Sequence, residues 1–154
     1  MAELTVGDQA PEIVAKNQQG ETITLSALRG KKVILYFYPK DNTPGCTTEA
    51  CNFRDNYQAL VRDGFEVLGV SIDSEQSHQK FISKFELPFN LLADEQQQIV
   101  QDYGVWVEKN MYGKKYMGTA RTTFIINEDG VIEHIIKKVD NKNASDQVRA
   151  LYQA

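Results

Sequence analysis

The chain's only two cysteines, Cys46 and Cys51, fall in one ten-residue stretch, NTPGCTTEAC, running from Asn42 to Cys51. Cysteine reacts as its thiolate, and a second thiol nearby can trap an oxidised sulfur as a disulfide. The pair could therefore act as nucleophile and partner, as a reversible disulfide, or as half of a metal site. The spacing weighs against the last. Structural zinc favours closer pairs such as C-x2-C and H-x3-H. The only histidines, His78 and His134, are far apart in sequence and on separate elements. Each reads as an ordinary residue, His78 flanking a helix face and His134 on a strand. The C-x-x-C pattern of disulfide-exchange proteins is absent.

The elements around the pair favour reactivity at Cys46. KKVILYFYP, residues 31–39, gives an apolar and aromatic run from Val33 to Tyr38, ended by Pro39. Such a run predicts a strand buried on both faces of a sheet. After it, Cys46, Ala50, Phe53, Tyr57, Leu60 and Val61 recur at helical spacing, with Asp63-Gly64 as the stop. Cys46 is thus expected in the first turn of a helix, where unpaired amides and the helix dipole favour a thiolate. Pro44 and Gly45 shape the entry. Thr43 offers a hydroxyl close by. Glu49 pairs with an arginine such as Arg54, or favours the helix N-terminus; it is given no catalytic role.

Cys51 is five residues further on. In an ideal helix the two Cα atoms stand roughly 8–9 Å apart, beyond disulfide range. Either the pair is never bridged, or the helix unwinds locally to bridge it. In the reduced protein the helix should begin near Cys46. In an oxidised one, the segment from Cys46 to about Asn52 should be partly unwound.

The rest of the chain predicts alternating strands and helices. EIVAKNQQGETITL is a hairpin around Asn17–Gly20, and FEVLGVSID is a strand. SEQSHQKFISKFELP is a helix capped by Ser74, with Phe81, Ile82 and Phe85 inward. FNLLAD is a short strand, and EQQQIVQDYG is a short helix closed by Gly104. RTTFIINEDGVIEHIIKKV is two strands around Asn127–Gly130. NASDQVRALYQ is a final helix with Val148, Leu151 and Tyr152 inward. The expected architecture is α/β: a mixed central sheet, helices on both faces and an N-terminal β-hairpin. The 154 residues fit one domain, 1–154, with a core large enough to need no disulfide staple.

A net charge of −4 argues against nucleic acid as the main partner. No stretch of 18 apolar residues exists, so no membrane span is expected. MAELTVGDQAPEI lacks a basic segment followed by an apolar core, so no secretory signal is read and a cytoplasmic location is expected.

The motifs resemble those of the peroxiredoxins. Pro39-Lys40-Asp41-Asn42-Thr43-Pro44-Gly45-Cys46 fits the family's P-x-x-x-T-x-x-C pattern. TTEAC is similar to the bacterioferritin comigratory protein or peroxiredoxin Q branch, where a second cysteine lies five positions after the first. GTARTTFIIN resembles the segment bearing the family's catalytic arginine, here Arg121. VLGVSIDS, FELPFNLLAD and YGVWVEKNMYGKKYMG resemble the same branch, so the likeness covers nearly the whole chain.

The resemblance implies a thioredoxin-like fold and thiol-dependent reduction of hydroperoxides. Cys46 would attack the peroxide and become a sulfenic acid. Arg121 would stabilise the thiolate and orient the peroxide. Thr43 would hydrogen-bond thiolate and peroxide oxygen, and Pro39 would wall the pocket against water. Cys51 would resolve the sulfenate to an intramolecular disulfide, re-reduced by thioredoxin or a similar dithiol. No metal, flavin or haem is implied. With no third cysteine near the C-terminus, the arrangement implies a monomer. Two other readings stay open. A redox-sensing binding protein would use the same disulfide to alter a partner surface, and a zinc-binding element would lose its fold on chelation.

Overall fold

The structure, a computed structural model, describes residues 3–153. Strands β1 (Val14–Lys16) and β2 (Thr22–Thr24) form an antiparallel hairpin. A 3-10 turn at Leu25–Leu28 leads into β3 (Lys32–Phe37). Helix α1 (Pro44–Arg62) follows, then β4 (Phe65–Ser71), α2 (Glu75–Phe85), β5 (Asn90–Ala93) and α3 (Gln98–Asp102). A second hairpin, β6 (Trp106–Met111) and β7 (Lys114–Thr119), precedes β8 (Thr122–Ile126) and β9 (Ile132–Ile136). A 3-10 turn at Asn141–Asn143 runs into α4 (Ala144–Ala150).

Five strands form the main sheet in the order β5-β4-β3-β8-β9. β3 is central. It pairs in parallel with β4 and antiparallel with β8, so the sheet is mixed. Side chains alternate faces along a strand, and β3 is apolar at every position from Val33 on, so it feeds two cores. Val33, Leu35 and Phe37 join one, with Ile99 and Val100 of α3. Ile34, Tyr36 and Tyr38 join the other, with α1, Phe81 of α2 and Val148 of α4. Helices thus cover both faces, as expected.

Helix α1 starts and stops on local signals. Thr43 is extended at the N-cap, and Pro44 occupies the first helical position, where its missing N–H costs nothing. Asp63 closes the helix, and Gly64 follows at φ 91°. The buried face is Cys46, Glu49, Ala50, Phe53 and Leu60. Two residues expected inward face solvent: Val61 on α1 and Leu151 just beyond α4 are 46% and 41% exposed. One helical step rotates the chain by about 100°, so Leu60 takes the core position and Val61 is turned away from it. Leu151 lies past the last helical turn, where no neighbouring element covers it.

A side chain of α1 also holds the start of α4. Asn52 donates to the Lys142 carbonyl at 2.7 Å and accepts from the Ser145 amide at 2.8 Å.

Under α1 the sheet has no spare room at Gly69. This residue lies in β4 between Tyr36 of β3 and Leu91 of β5, its partners in register. A Cβ there would lie 2.6 Å from Leu91 Cδ2 and 2.9 Å from Tyr36 Cζ. Tyr36 in turn packs on Phe53 of α1, with ring centroids 4.9 Å apart. Gly69→Ala must therefore push on the floor of α1. The expected cost is about 1–3 kcal/mol, read as a lower urea midpoint at unchanged slope. An unchanged midpoint would contradict this packing.

Candidate active site

Cys46 is the third residue of α1 and is buried. The first amide to bond back into the helix is that of Thr47, to the Thr43 carbonyl at 2.8 Å. The amides of Gly45 and Cys46 therefore lack an intrahelical acceptor and add partial positive charge at this end.

Arg121, in the link between β7 and β8, completes the charge arrangement. Its Nη2 donates to Cys46 Sγ at 3.2 Å, and its Nη1 donates to Glu49 Oε1 at 2.6 Å. Cys46 and Glu49 are one turn apart on the same face, a spacing that the fork of a guanidinium can bridge. Gly45 makes the approach possible. A Cβ on it would lie 3.0 Å from Asn141 Nδ2 and 3.4 Å from Arg121 Nη2.

Glu49 is fully buried, and its second oxygen, Oε2, has no protein hydrogen-bond partner. Burial pushes its carboxyl up to about 7, against the pull of Arg121. Burial works against the charge of Arg121 as well, yet Glu49 and Cys46 together hold that residue above its ordinary value. Burial outweighs the attraction of Arg121, so the carboxyl stays high even beside a cation. The expected pairing of Glu49 with Arg54 is corrected: Arg54 bonds Asp55 at 2.9 Å and the Phe85 carbonyl at 2.9 Å.

The Thr43 hydroxyl is not bonded to Cys46. Its hydroxyl donates to the Lys40 carbonyl at 2.8 Å. Its hydrogen is thus spent, and what the oxygen retains is the capacity to accept. Pro39 lies two residues past the end of β3 and is partly buried. Cys51 is partly buried, both cysteines are free, and α1 runs unbroken through them. That is the arrangement expected of the reduced state. The structure therefore gathers Cys46, Arg121 and Glu49 into contact, with Thr43 and Pro39 on the loop that enters α1. Cys51 stands one and a half turns further along the helix.

His78 differs from its expected place flanking a helix face. It is fully buried, with its two ring nitrogens 2.7 Å from Asp41 Oδ2 and 2.9 Å from the Leu92 carbonyl. Among the described residues, one group of three possible metal ligands occurs: Asp41, Asp73 and His78. It contains neither cysteine.

Residues 6–135 match the family model described as the AhpC/TSA family. The chain belongs to the AhpC/TSA family. Its relatives place it among the peroxiredoxins. It is 52% identical over 136 residues to the putative peroxiredoxin bcp of Coxiella burnetii, covering 88% of this chain and 90% of that one. It is 43% identical over 148 residues to peroxiredoxin Bcp of Escherichia coli K12, covering 96% and 95%. Among solved structures, a Xanthomonas campestris peroxiredoxin Q mutant superposes with a TM-score of 0.86 at 36% identity, covering 91% of this chain and 89% of that one. Another structure, of the X. campestris bacterioferritin comigratory protein, comes from work on its alkyl peroxide reduction. It is 36% identical with a TM-score of 0.85, covering 90% of this chain and 88% of that one. The mixed sheet with its helices is therefore the thioredoxin-like peroxiredoxin fold, and the chemistry of this peroxiredoxin is thiol-dependent peroxide reduction.

Proposed function

We propose that Cys46 is the peroxidatic cysteine and Cys51 the resolving one, in a monomeric single-domain enzyme that acts in the cytoplasm on hydrogen peroxide and organic hydroperoxides. The observation that carries this reading is the Arg121 guanidinium donating to Cys46 Sγ at 3.2 Å, at a helix N-terminus, on the helix that also bears a free Cys51.

The Cys46 thiolate attacks the terminal peroxide oxygen. An S–O bond forms, the O–O bond breaks, and the departing alkoxide or hydroxide takes up a proton as alcohol or water. Arg121 faces the charge as it moves from sulfur to the leaving oxygen, and fixed donors so placed lower the barrier without reorganising. Thr43, its hydrogen committed to Lys40, accepts the hydrogen bond of the incoming hydroperoxide. Pro39 closes the loop side against water. The Cys51 thiol then displaces water from the Cys46 sulfenic acid and forms the disulfide. An isolated helix turn cannot span that bond, so α1 opens between the two residues. Thioredoxin or a similar dithiol reduces the disulfide and is itself oxidised. The reaction needs no metal or organic cofactor.

Dithiol-coupled peroxide consumption tests the reading. Wild type is expected to turn over with thioredoxin, and Cys51→Ser to lose that cycling while still consuming a first equivalent of peroxide. A wild type that forms the disulfide but cycles with no dithiol would replace the enzyme reading with that of a redox sensor.

A further inference from the structure

The loop that delivers Cys46 ends on a buried polar cluster that the chemistry above does not use. Its centre is Asp41, in the loop between β3 and α1. Oδ1 of Asp41 accepts from the Tyr38 hydroxyl at 2.6 Å. Oδ2 accepts from the Ser77 hydroxyl at 2.7 Å and lies 2.7 Å from His78 Nδ1. The Asp41 amide donates to Asp73 Oδ2 at 2.8 Å, and the Ser71 hydroxyl donates to that same oxygen at 2.6 Å.

We propose that His78 is a positioning residue for the peroxide reaction: as an imidazolium it holds the Asp41 carboxylate, and through Asp41 the segment from which α1 and Cys46 begin. The proposal rests on Cys46 being the reacting residue.

The charge state follows from the partners. His78 Nε2 faces the Leu92 carbonyl at 2.9 Å, and a carbonyl can only accept. Nε2 therefore carries a hydrogen. Asp41 gathers two hydroxyl donors as well as the ring, the environment of an ionised carboxylate. An ionised carboxylate also only accepts, so Nδ1 carries a hydrogen too. With both nitrogens protonated the ring is a cation. Without that cation, Asp41 and Asp73 would be two carboxylates close together with no positive partner in the cluster. Uncompensated buried charge is strongly destabilising. The same closeness could suggest a metal site, since one ligand atom from each of Asp41, Asp73 and His78 lies within 4.8 Å of the others. Here both ring nitrogens are already committed to hydrogen bonds, so the imidazolium supplies the charge that a metal would.

The position of the cluster makes it more than a core plug. Its members come from the ends of β3 and β4 (Tyr38, Ser71, Asp73), from β5 (Leu92) and from the first turns of α2 (Ser77, His78). They converge on the residue five before Cys46. Asn42, next in the chain, is exposed and takes a left-handed conformation at φ 59°, and Thr43 is the N-cap of α1. The loop is therefore clamped inside at Asp41 and turns out to solvent just beyond it, where Asn42 meets the Lys84 ammonium at 3.4 Å. The clamp fixes where α1 starts, and so where the Sγ of Cys46 sits relative to Arg121. It also sets the fixed end of the segment that opens when Cys46 meets Cys51.

Two measurements test this. Ring-nitrogen NMR of reduced wild type at neutral pH should show His78 protonated on both nitrogens; a neutral ring would overturn the proposal. Stopped-flow oxidation of Cys46 should slow about 10- to 100-fold in His78→Gln, because a side-chain amide cannot donate from both ends and a small displacement of a reacting atom costs rate on this scale. Adding Asp41→Asn to His78→Gln should cost little more, since the two act as one unit. A folded His78→Gln with wild-type rate, or losses that multiply independently in the double variant, would sink the idea. Should His78→Gln not fold, Asp41→Asn alone carries the kinetic arm, with the same expected loss. A wild type whose Cys46 ignores peroxide would instead refute the enzyme reading and leave the NMR result standing.

Discussion

Arg121→Met is expected to slow oxidation of Cys46 by hydrogen peroxide about 10²–10³-fold, the loss typical of removing one fixed donor from a developing oxyanion. Methionine keeps much of the length and apolar stem of arginine and deletes only the fork. That fork now touches Cys46 Sγ at 3.2 Å and Glu49 Oε1 at 2.6 Å. Its removal takes away the cation facing the sulfur and the donor facing the leaving oxygen together. It also leaves Glu49 buried without its partner, and the carboxyl is then expected to take up a proton and stay neutral. The rate must therefore be measured on protein shown to be folded, by stopped flow with peroxide in excess. Arg121→Lys should fall between wild type and Arg121→Met, since one ammonium cannot reproduce the two-pronged contact. Cys46→Ser sets the floor, with no oxidation above background. A wild-type rate in folded Arg121→Met would show that the helix N-terminus alone activates the sulfur.

Between pH 4.5 and about 7 the reduced protein is expected to lose about 3 kcal/mol of stability through Glu49. The sign follows from proton counting. An unfolded Glu49 gives up its proton near 4.5, while the folded one keeps it until about 7. Across that window the folded state binds more protons, so rising pH favours unfolding. The contribution is complete below 4.5 and gone above about 7. Its size is the gap between those values at 1.36 kcal/mol for each pH step. Paired surface carboxylates move stability the opposite way, so the wild-type curve alone does not isolate the effect. Glu49→Gln does. Its side chain keeps an oxygen for Arg121 but cannot ionise. The gap in denaturation free energy between variant and wild type should widen in the variant's favour as pH rises through the window. Parallel curves would show that folding does not raise the Glu49 carboxyl above its unfolded value.

What could be read from the sequence was what neighbouring residues decide among themselves. The apolar run Val33–Tyr38, the Pro44 entry to α1, the Ser74 cap and the Asn127–Gly130 turn all rest on short-range signals, and each stands where it was expected. The β6–β7 hairpin escaped because its turn departs from the usual chemistry. Tyr112 sits at φ 53° and Gly113 at φ 81°, where Asn-Gly or Asp-Gly is the recognisable pair. The available clue was Asn110, whose Oδ1 accepts from the Gly113 amide at 3.0 Å. The partner of Glu49 escaped for another reason. Arg54 is near in sequence, whereas Arg121 is 72 positions away and arrives only when β8 docks on β3. His78 escaped because hydrophobic periodicity ranks histidine as neutral, so nothing local marks it as buried. Asp73 lies just before α2, but Asp41 is 37 positions before His78, and nothing local hinted that the fold would bring it against the ring.

The cap that α1 lends to α4 has a consequence of its own. Asn52 is the residue after Cys51, and it holds the Ser145 amide and the Lys142 carbonyl. The proposed bridge between Cys46 and Cys51 would open the turns just before Asn52 and is expected to draw it away from both. α4 is only seven residues long, too short to persist on its own propensity, and loss of a cap costs a helix about 1 kcal/mol. The tail of the chain is thus tethered by a knot that the proposed disulfide would untie. On the proposed mechanism, each catalytic cycle is expected to loosen and refasten the carboxyl-terminal segment, making it a mechanical register of peroxide exposure at a distance from the sulfur that met it.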